Sequence, residues 1–114
     1  MKVFDLVKCV VDAKSIELNG KMTPNSEKIE ILEEYCNELD KVIDTWEGFS
    51  IDADVVGKRN LIVVSIEIAA LTINEMNTVV FDLIDRSVLF AVGNSERNNL
   101  RIDFTFPSVW DIIK

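Results

Sequence analysis

Hydrophobic residues recur along this chain at two spacings, one typical of helices and one typical of strands. Between residues 24 and 46 they fall every third or fourth position, the period of an α-helix with one buried face. Thr23 and Pro24 precede them and are residue types that begin helices. The pattern predicts an amphipathic helix over residues 24–46, with Ile31, Tyr35 and Val42 flanking its buried stripe. The stripe itself comprises Ile29, Leu32, Cys36, Leu39, Ile43 and Trp46.

A hairpin is predicted over residues 49–69, where apolar and polar residues alternate on both sides of a turn at residues 57–60. If Val56 pairs with Leu61, the apolar residues of both strands share one face, whereas a slip of one residue would separate them. We therefore expect this register, with the helix packed on the shared face. That face carries Phe49, Ile51, Ala53, Val55, Ile62, Val64, Ile66 and Ile68.

A second hairpin is predicted from the alternating residues Val88, Phe90 and Val92 and, after a polar loop, Ile102, Phe104 and Phe106. Residues 72–85 begin with the capping pattern Thr72 to Glu75 and favour a helix, although the run at 79–81 is more typical of a strand.

The two ends of the chain carry weaker signals. Val3, Leu6, Val7 and Val10 indicate a short N-terminal helix. Residues 15–22 suggest a small hairpin around Asn19 and Gly20, and residues 108–114 suggest a short amphipathic turn.

Together these elements predict a single α+β domain spanning residues 1–114. Its antiparallel sheet is built from two hairpins, with helices packed on one face, in helix-hairpin-helix-hairpin order. Small acidic secretion chaperones have a broadly similar order of elements. That similarity concerns the fold alone, and a fold does not determine a function.

The composition narrows the function classes. Apolar residues make up 48% and charged residues 28% of the 114 residues, which excludes a disordered chain. The formal net charge is −8, so we expect no nucleic-acid partner. The chain has no histidine, which excludes Ser–His–Asp and Cys–His catalysis.

Targeting signals and cofactor motifs are not recognisable in the sequence. Asp5 and Lys8 interrupt the N-terminal apolar residues, and the longest uncharged stretch is residues 87–95, too short for a membrane helix. Two cysteines, Cys9 and Cys36, do not form a disulfide framework. We expect a cytoplasmic protein with no membrane partner and no cofactor.

Charge is concentrated in residues 25–56, which carry ten acidic and two basic residues. The polar face of the predicted helix is therefore a candidate surface for binding a basic protein, although a solvated face is also consistent with it. Its candidate residues are Glu30, Glu33, Glu34, Asp40 and Asp44. The sequence thus favours a non-enzymatic interaction module, such as an inhibitor, an immunity protein or a chaperone-like adaptor.

Two further surfaces lie on the other face of the first hairpin. Asp52, Asp54 and Glu67 fall together there, and the alternative function is a metal-binding or hydrolytic domain that uses these carboxylates. Near the turn, Val56, Leu61 and Val63 form an apolar end of the same face. We expect this end to be the contact of a homodimer, because it lies away from the acidic helix.

Overall fold

The computed structural model describes residues 2–44, 48–68, 90–94 and 99–112. In chain order its elements are α1 (Val3–Glu17), β1 (Met22–Pro24), α2 (Ser26–Ile43), β2 (Phe49–Val56), β3 (Leu61–Ile68), β4 (Phe90–Asn94), β5 (Leu100–Phe106) and β6 (Trp110–Ile112). Strands β2, β3, β5 and β4 form an antiparallel sheet in that order, and β1 pairs with β6 separately. The predicted α+β class with an antiparallel sheet is confirmed.

The first hairpin has the predicted register. Val56 pairs with Leu61, and Ala53 pairs with Val64. On the shared face the side chains of β3 are completely buried, while Asp52 and Asp54 on the other face are exposed. The alternation and the short turn favour this register, because a slip of one residue would separate the aliphatic side chains of the two strands onto opposite faces.

The second hairpin is also present, formed by β4 and β5, with Phe90 opposite Phe104 and Val92 opposite Ile102. Strand β5 pairs with β3 as well, which joins the two hairpins into one sheet. The predicted helix over residues 72–85 lies outside the described residues, as do Trp46 and Val88.

Both helices contribute to one buried cluster on one face of the sheet. Helix α1 contacts β2 and α2, and Tyr35 of α2 stacks on Phe106 of β5, with ring centroids 6.0 Å apart. The helical side chains in the cluster are Val3, Val7, Val11, Leu32, Cys36, Leu39 and Ile43. The predicted stripe of α2 is therefore its buried face over the described residues.

The start of α2 differs from the prediction. Thr23 and Pro24 belong to β1, and the helix begins at Ser26. Asn25 is the capping residue, because its side-chain oxygen accepts a hydrogen bond from the amide of Lys28 at 3.1 Å. Asparagine is a stronger N-cap residue than threonine, which favours the start observed here over the one predicted at Thr23.

The predictions for the two ends of the chain were wrong in part. Residues 15–22 do not form a hairpin: α1 continues to Glu17, and a turn through Gly20 leads into β1. Residues 110–112 are a strand paired with β1 rather than a terminal helical turn. The pairing of Pro24 with Trp110 joins segments far apart in sequence, and such pairing leaves no local pattern to predict it.

Candidate functional site

The solvent-facing side of α2 is rich in exposed carboxylates. Glu27, Glu30, Glu33, Glu34 and Asp44 are all exposed. Within the described part of the chain, none of these five side chains forms an ion pair. The basic residues of α2 are engaged elsewhere, since the Nζ of Lys41 lies 3.0 Å from the Oε1 of Glu38 and the Nζ of Lys28 lies 2.9 Å from the Oδ1 of Asp111.

Asp40, predicted as a member of this surface, has a structural role. It is half-buried, and its Oδ1 accepts a hydrogen bond of 2.9 Å from the amide of Val3, the first residue of α1. The N-cap residue of α1, Lys2, makes no such bond through its side chain. A carboxylate at this position satisfies a free amide and interacts favourably with the helix dipole. Asp40 therefore docks α1 onto α2.

Cys36 lies on the buried face of α2, and nearby negative charges affect its thiol. Its side chain is completely buried. Burial, followed by the negative charges of Asp40 and Glu33, raises the pKa of the Cys36 thiol to about 12. The thiol stays protonated at neutral pH and is a core residue rather than a nucleophile.

The two flanks of α2 are chemically different. At about 100° per residue, Glu33 and Asp40 lie on the flank towards α1, whereas Ile31 and Tyr35 lie on the opposite flank towards β5. On that second flank Ile31 is 49% exposed and Tyr35 is 42% exposed, so two large apolar side chains one helical turn apart lie together at the surface. The exposed surface of α2 thus combines acidic and apolar positions.

An apolar groove of about 350 Å³ lies between α2 and the connection from β5 to β6. Ile31 and Tyr35 line it on the helix side, with Leu32 below them. The ring of Phe106 is buried against Tyr35, and the exposed Pro107 forms part of the opposite wall. The complete lining is Lys28, Ile31, Leu32, Tyr35, Phe106, Pro107, Ser108 and Val109.

Polar contacts hold the two walls of this groove in place. The amide of Asn25 donates to the carbonyl oxygen of Val109 at 2.7 Å, and its side-chain nitrogen donates to the carboxylate of Asp111. The Nζ of Lys28 donates to the other oxygen of Asp111 at 2.9 Å. The two side-chain hydrogen bonds to Asp111 lower the pKa of its carboxyl group, and the bond from Asn25 has the larger effect. The groove is therefore preorganised by the contact of α2 with β6.

Sequence reasoning identified only one wall of the groove. Ile31 and Tyr35 stood out as apolar positions beside the buried stripe, whereas residues 106–109 approach them only through the fold. Asn25, Lys28 and Asp111 carried no local signal, because their contacts span more than eighty positions of the chain.

The face of the sheet that bears Asp52 and Asp54, away from α2 and called the open face below, carries the second acidic group. Asp52 and Asp54 are exposed on β2, and the oxygen of each accepts a hydrogen bond of 2.8 Å from the amide of the next residue. Glu67 accepts a hydrogen bond of 3.0 Å from Asn99. Among the described residues, no three acidic, histidine or cysteine side chains are placed to hold a metal ion. This face is on the opposite side of the sheet from α2. The carboxylates of residues 25–56 are therefore divided between two surfaces.

The apolar end of the open face is small. Val56 is 39% exposed, while Leu61 and Val63 are half-buried. Val63 lies between Asp54 and Thr105 on the neighbouring strands. The homodimer through Val56, Leu61 and Val63 stays a prediction.

Sedimentation of the wild type beside Val63→Lys tests this dimer. If the apolar end is the contact, the wild type sediments as a dimer at high concentration and the lysine variant as a monomer, because a charge cannot be buried there without a partner. A monomeric wild type, or a dimer that tolerates the lysine, would contradict the prediction.

Comparison with protein-family models, curated proteins and solved structures gives no significant match for this chain. Over the described residues, no helix is both long and apolar enough to cross a membrane. The case for a function therefore depends on the surfaces described above.

Proposed function

We propose that this protein is a non-enzymatic interaction module that binds a basic protein through the solvent-facing side of α2. The observation that carries the proposal is the set of exposed carboxylates at Glu27, Glu30, Glu33, Glu34 and Asp44, which have no ion-pair partner among the described residues. The partner is a protein whose contact surface is rich in lysine or arginine.

The acidic surface is unfavourable for the isolated helix, which supports a role in binding. Glu30 and Glu34 are one turn apart, and like charges at this spacing cost about 0.2–0.5 kcal/mol. Asp44 follows the C-terminus of α2, where the helix dipole disfavours an anion. A cationic partner would relieve both effects.

The proposed role of these charges is to steer association. Opposite charges on two surfaces raise the rate of encounter, and this effect weakens as salt shortens the Debye length from ~10 Å at 0.1 M to ~3 Å at 1 M. Inhibitor, immunity-type and chaperone-like adaptor functions all fit a small acidic module of this kind.

The test begins with capture of binding proteins from a lysate of the source organism at low salt, followed by rate measurements on the captured protein. The double variant Glu30→Lys with Glu34→Lys reverses the sign of the charge at two positions of this surface. It keeps like charges one turn apart, so helix stability should change little. The matched control is Asp52→Lys with Asp54→Lys, which alters the net charge equally on the other face. Asp40 is left intact because it caps α1.

We expect a positively charged partner whose association is slowed about tenfold or more by the α2 variant and much less by the control. At ~1 M salt the difference between wild type and the α2 variant should largely disappear. Equal association rates for the wild type and the α2 variant at low salt would contradict the proposal, and so would the absence of any captured basic protein.

A further inference from the structure

We infer that the apolar groove between α2 and residues 106–109 receives an apolar side chain of the partner, and that lysine or arginine residues flank that side chain in the partner's sequence. The inference rests on the proposed function and deepens it, because it specifies the kind of segment that is recognised. The occupant is a short basic segment with an apolar anchor.

The first argument is the exposure of the groove's helix wall. Ile31 and Tyr35 leave nearly half of their surfaces in water, although a buried core lies directly beneath them. A groove of about 350 Å³ has the volume of a small ligand pocket and accommodates one or two apolar side chains. Burial of an anchor residue in such a pocket is the usual source of binding energy at a protein interface.

The second argument is the rigidity of the groove. Asn25 and Lys28 at the start of α2 hold Val109 and Asp111, so both walls are fixed relative to each other before a partner arrives. The stacking of Tyr35 on Phe106 adds a direct contact between the two walls. A preformed pocket avoids the entropic cost of ordering its walls on binding.

The third argument is charge complementarity, which selects the chemistry around the anchor. On the helical wheel, Glu27 and Glu34 lie within one turn of Ile31 and border the groove on its solvent side. Both are exposed and have no ion-pair partner among the described residues. The amine of Lys28, the basic group in the lining, is already engaged with Asp111. An apolar anchor with basic neighbours therefore matches both the floor and the rim.

The experiment uses two short synthetic peptides of equal length and charge, measured by fluorescence anisotropy at low salt. Both consist of lysine and glycine, but one has a central Phe-Leu pair and the other has Ser-Gly in its place. The protein variants are Ile31→Ser and the matched control Ile16→Ser, which removes a side chain that is 79% exposed on α1, outside the groove lining. Because Ile31 is about half exposed and Ile16 is 79% exposed, neither change should unfold the protein.

We expect the Phe-Leu peptide to bind wild type about tenfold more tightly than the Ser-Gly peptide. Ile31→Ser should remove that difference, whereas Ile16→Ser should retain it. Methyl resonances of Ile31 should shift with the Phe-Leu peptide while those of Ile16 stay unchanged.

The outcomes separate this inference from the proposed function. Equal affinities of the two peptides for wild type, with both weakened by Glu30→Lys and Glu34→Lys, would overturn the groove inference and leave the acidic contact standing. An affinity difference that survives Ile31→Ser would also overturn it. Binding of the Phe-Leu peptide that depends on Ile31 but is unchanged by Glu30→Lys with Glu34→Lys would contradict the basic flanks and, with them, the proposed function.

Discussion

Replacement of Leu39 by alanine is expected to lower the free energy of unfolding by about 2–5 kcal/mol. Leu39 is only 3% exposed and lies in the buried cluster formed by both helices and the sheet. The change removes apolar contact area and leaves a cavity that the surrounding strands fill only in part. Urea unfolding followed by circular dichroism gives the measurement.

The matched control is Glu34→Gln, on the opposite side of the same helix. Because it relieves repulsion between like charges one turn apart, we expect stability to stay the same or to rise by a few tenths of a kcal/mol. If Glu34→Gln were the more damaging change, α2 would be packed through its acidic side, and the assignment of its exposed surface would be wrong.

Replacement of Trp110 by alanine is expected to destabilise the protein by about 3–5 kcal/mol. Its side chain is 3% exposed, and its indole Nε1 donates a hydrogen bond of 2.8 Å to the Oγ of Ser15. That hydroxyl in turn donates to the carbonyl oxygen of Val11 at 2.8 Å. Trp110 thus ties β6 to the last part of α1 through both apolar packing and a hydrogen bond.

Two milder variants separate these contributions to the stability of the terminal strand. Trp110→Phe keeps most of the apolar area and loses the hydrogen bond, so it should cost about 1 kcal/mol more than the volume change alone. Ser15→Ala leaves the buried indole N–H without its acceptor and should cost about 1–3 kcal/mol. A loss below about 1 kcal/mol for Trp110→Ala in urea unfolding would show that the terminal strand is not part of the stable core.

The sequence was informative where structure depends on neighbouring residues. The register of β2 with β3 followed from alternation across one short turn, since a slip of one residue would place Ile62 and Ile66 on the opposite face from the apolar residues of β2. The buried stripe of α2 followed from helical periodicity for the same reason. In both cases the choice between burial and exposure involves several aliphatic side chains at once, so the correct arrangement is far more stable than its competitors.

The sequence was uninformative where structure depends on distant contacts. Asp40 looked like one more surface carboxylate, and its bond to Val3 exists only because α1 packs beside α2. The strand at residues 110–112 is too short to show a period, and its partner β1 is near the other end of the chain. The groove has one wall from α2 and one from residues 106–109, so the second wall could not be predicted from the pattern of the helix alone.

The division of charge between two surfaces, in contrast, followed from the predicted helix and the predicted register of the first hairpin. Residues 25–56 hold the entire net charge, yet their carboxylates face two opposite sides of the molecule. Asp52 and Asp54 are on the open face of the sheet, while Glu30 and Glu34 are on the outer side of α2. A basic partner therefore has two acidic surfaces available. The proposed function requires that the partner bind the surface of α2 rather than that of the sheet.

Chemical-shift mapping of the isotope-labelled protein with a short lysine-rich peptide tests that choice most directly. At low salt we expect the largest amide shifts along the exposed side of α2, at Glu27, Glu30 and Glu34, and we expect them to disappear at ~1 M salt as the charges are screened. Shifts confined to Asp52 and Asp54 on the sheet, with α2 unaffected, would contradict the account.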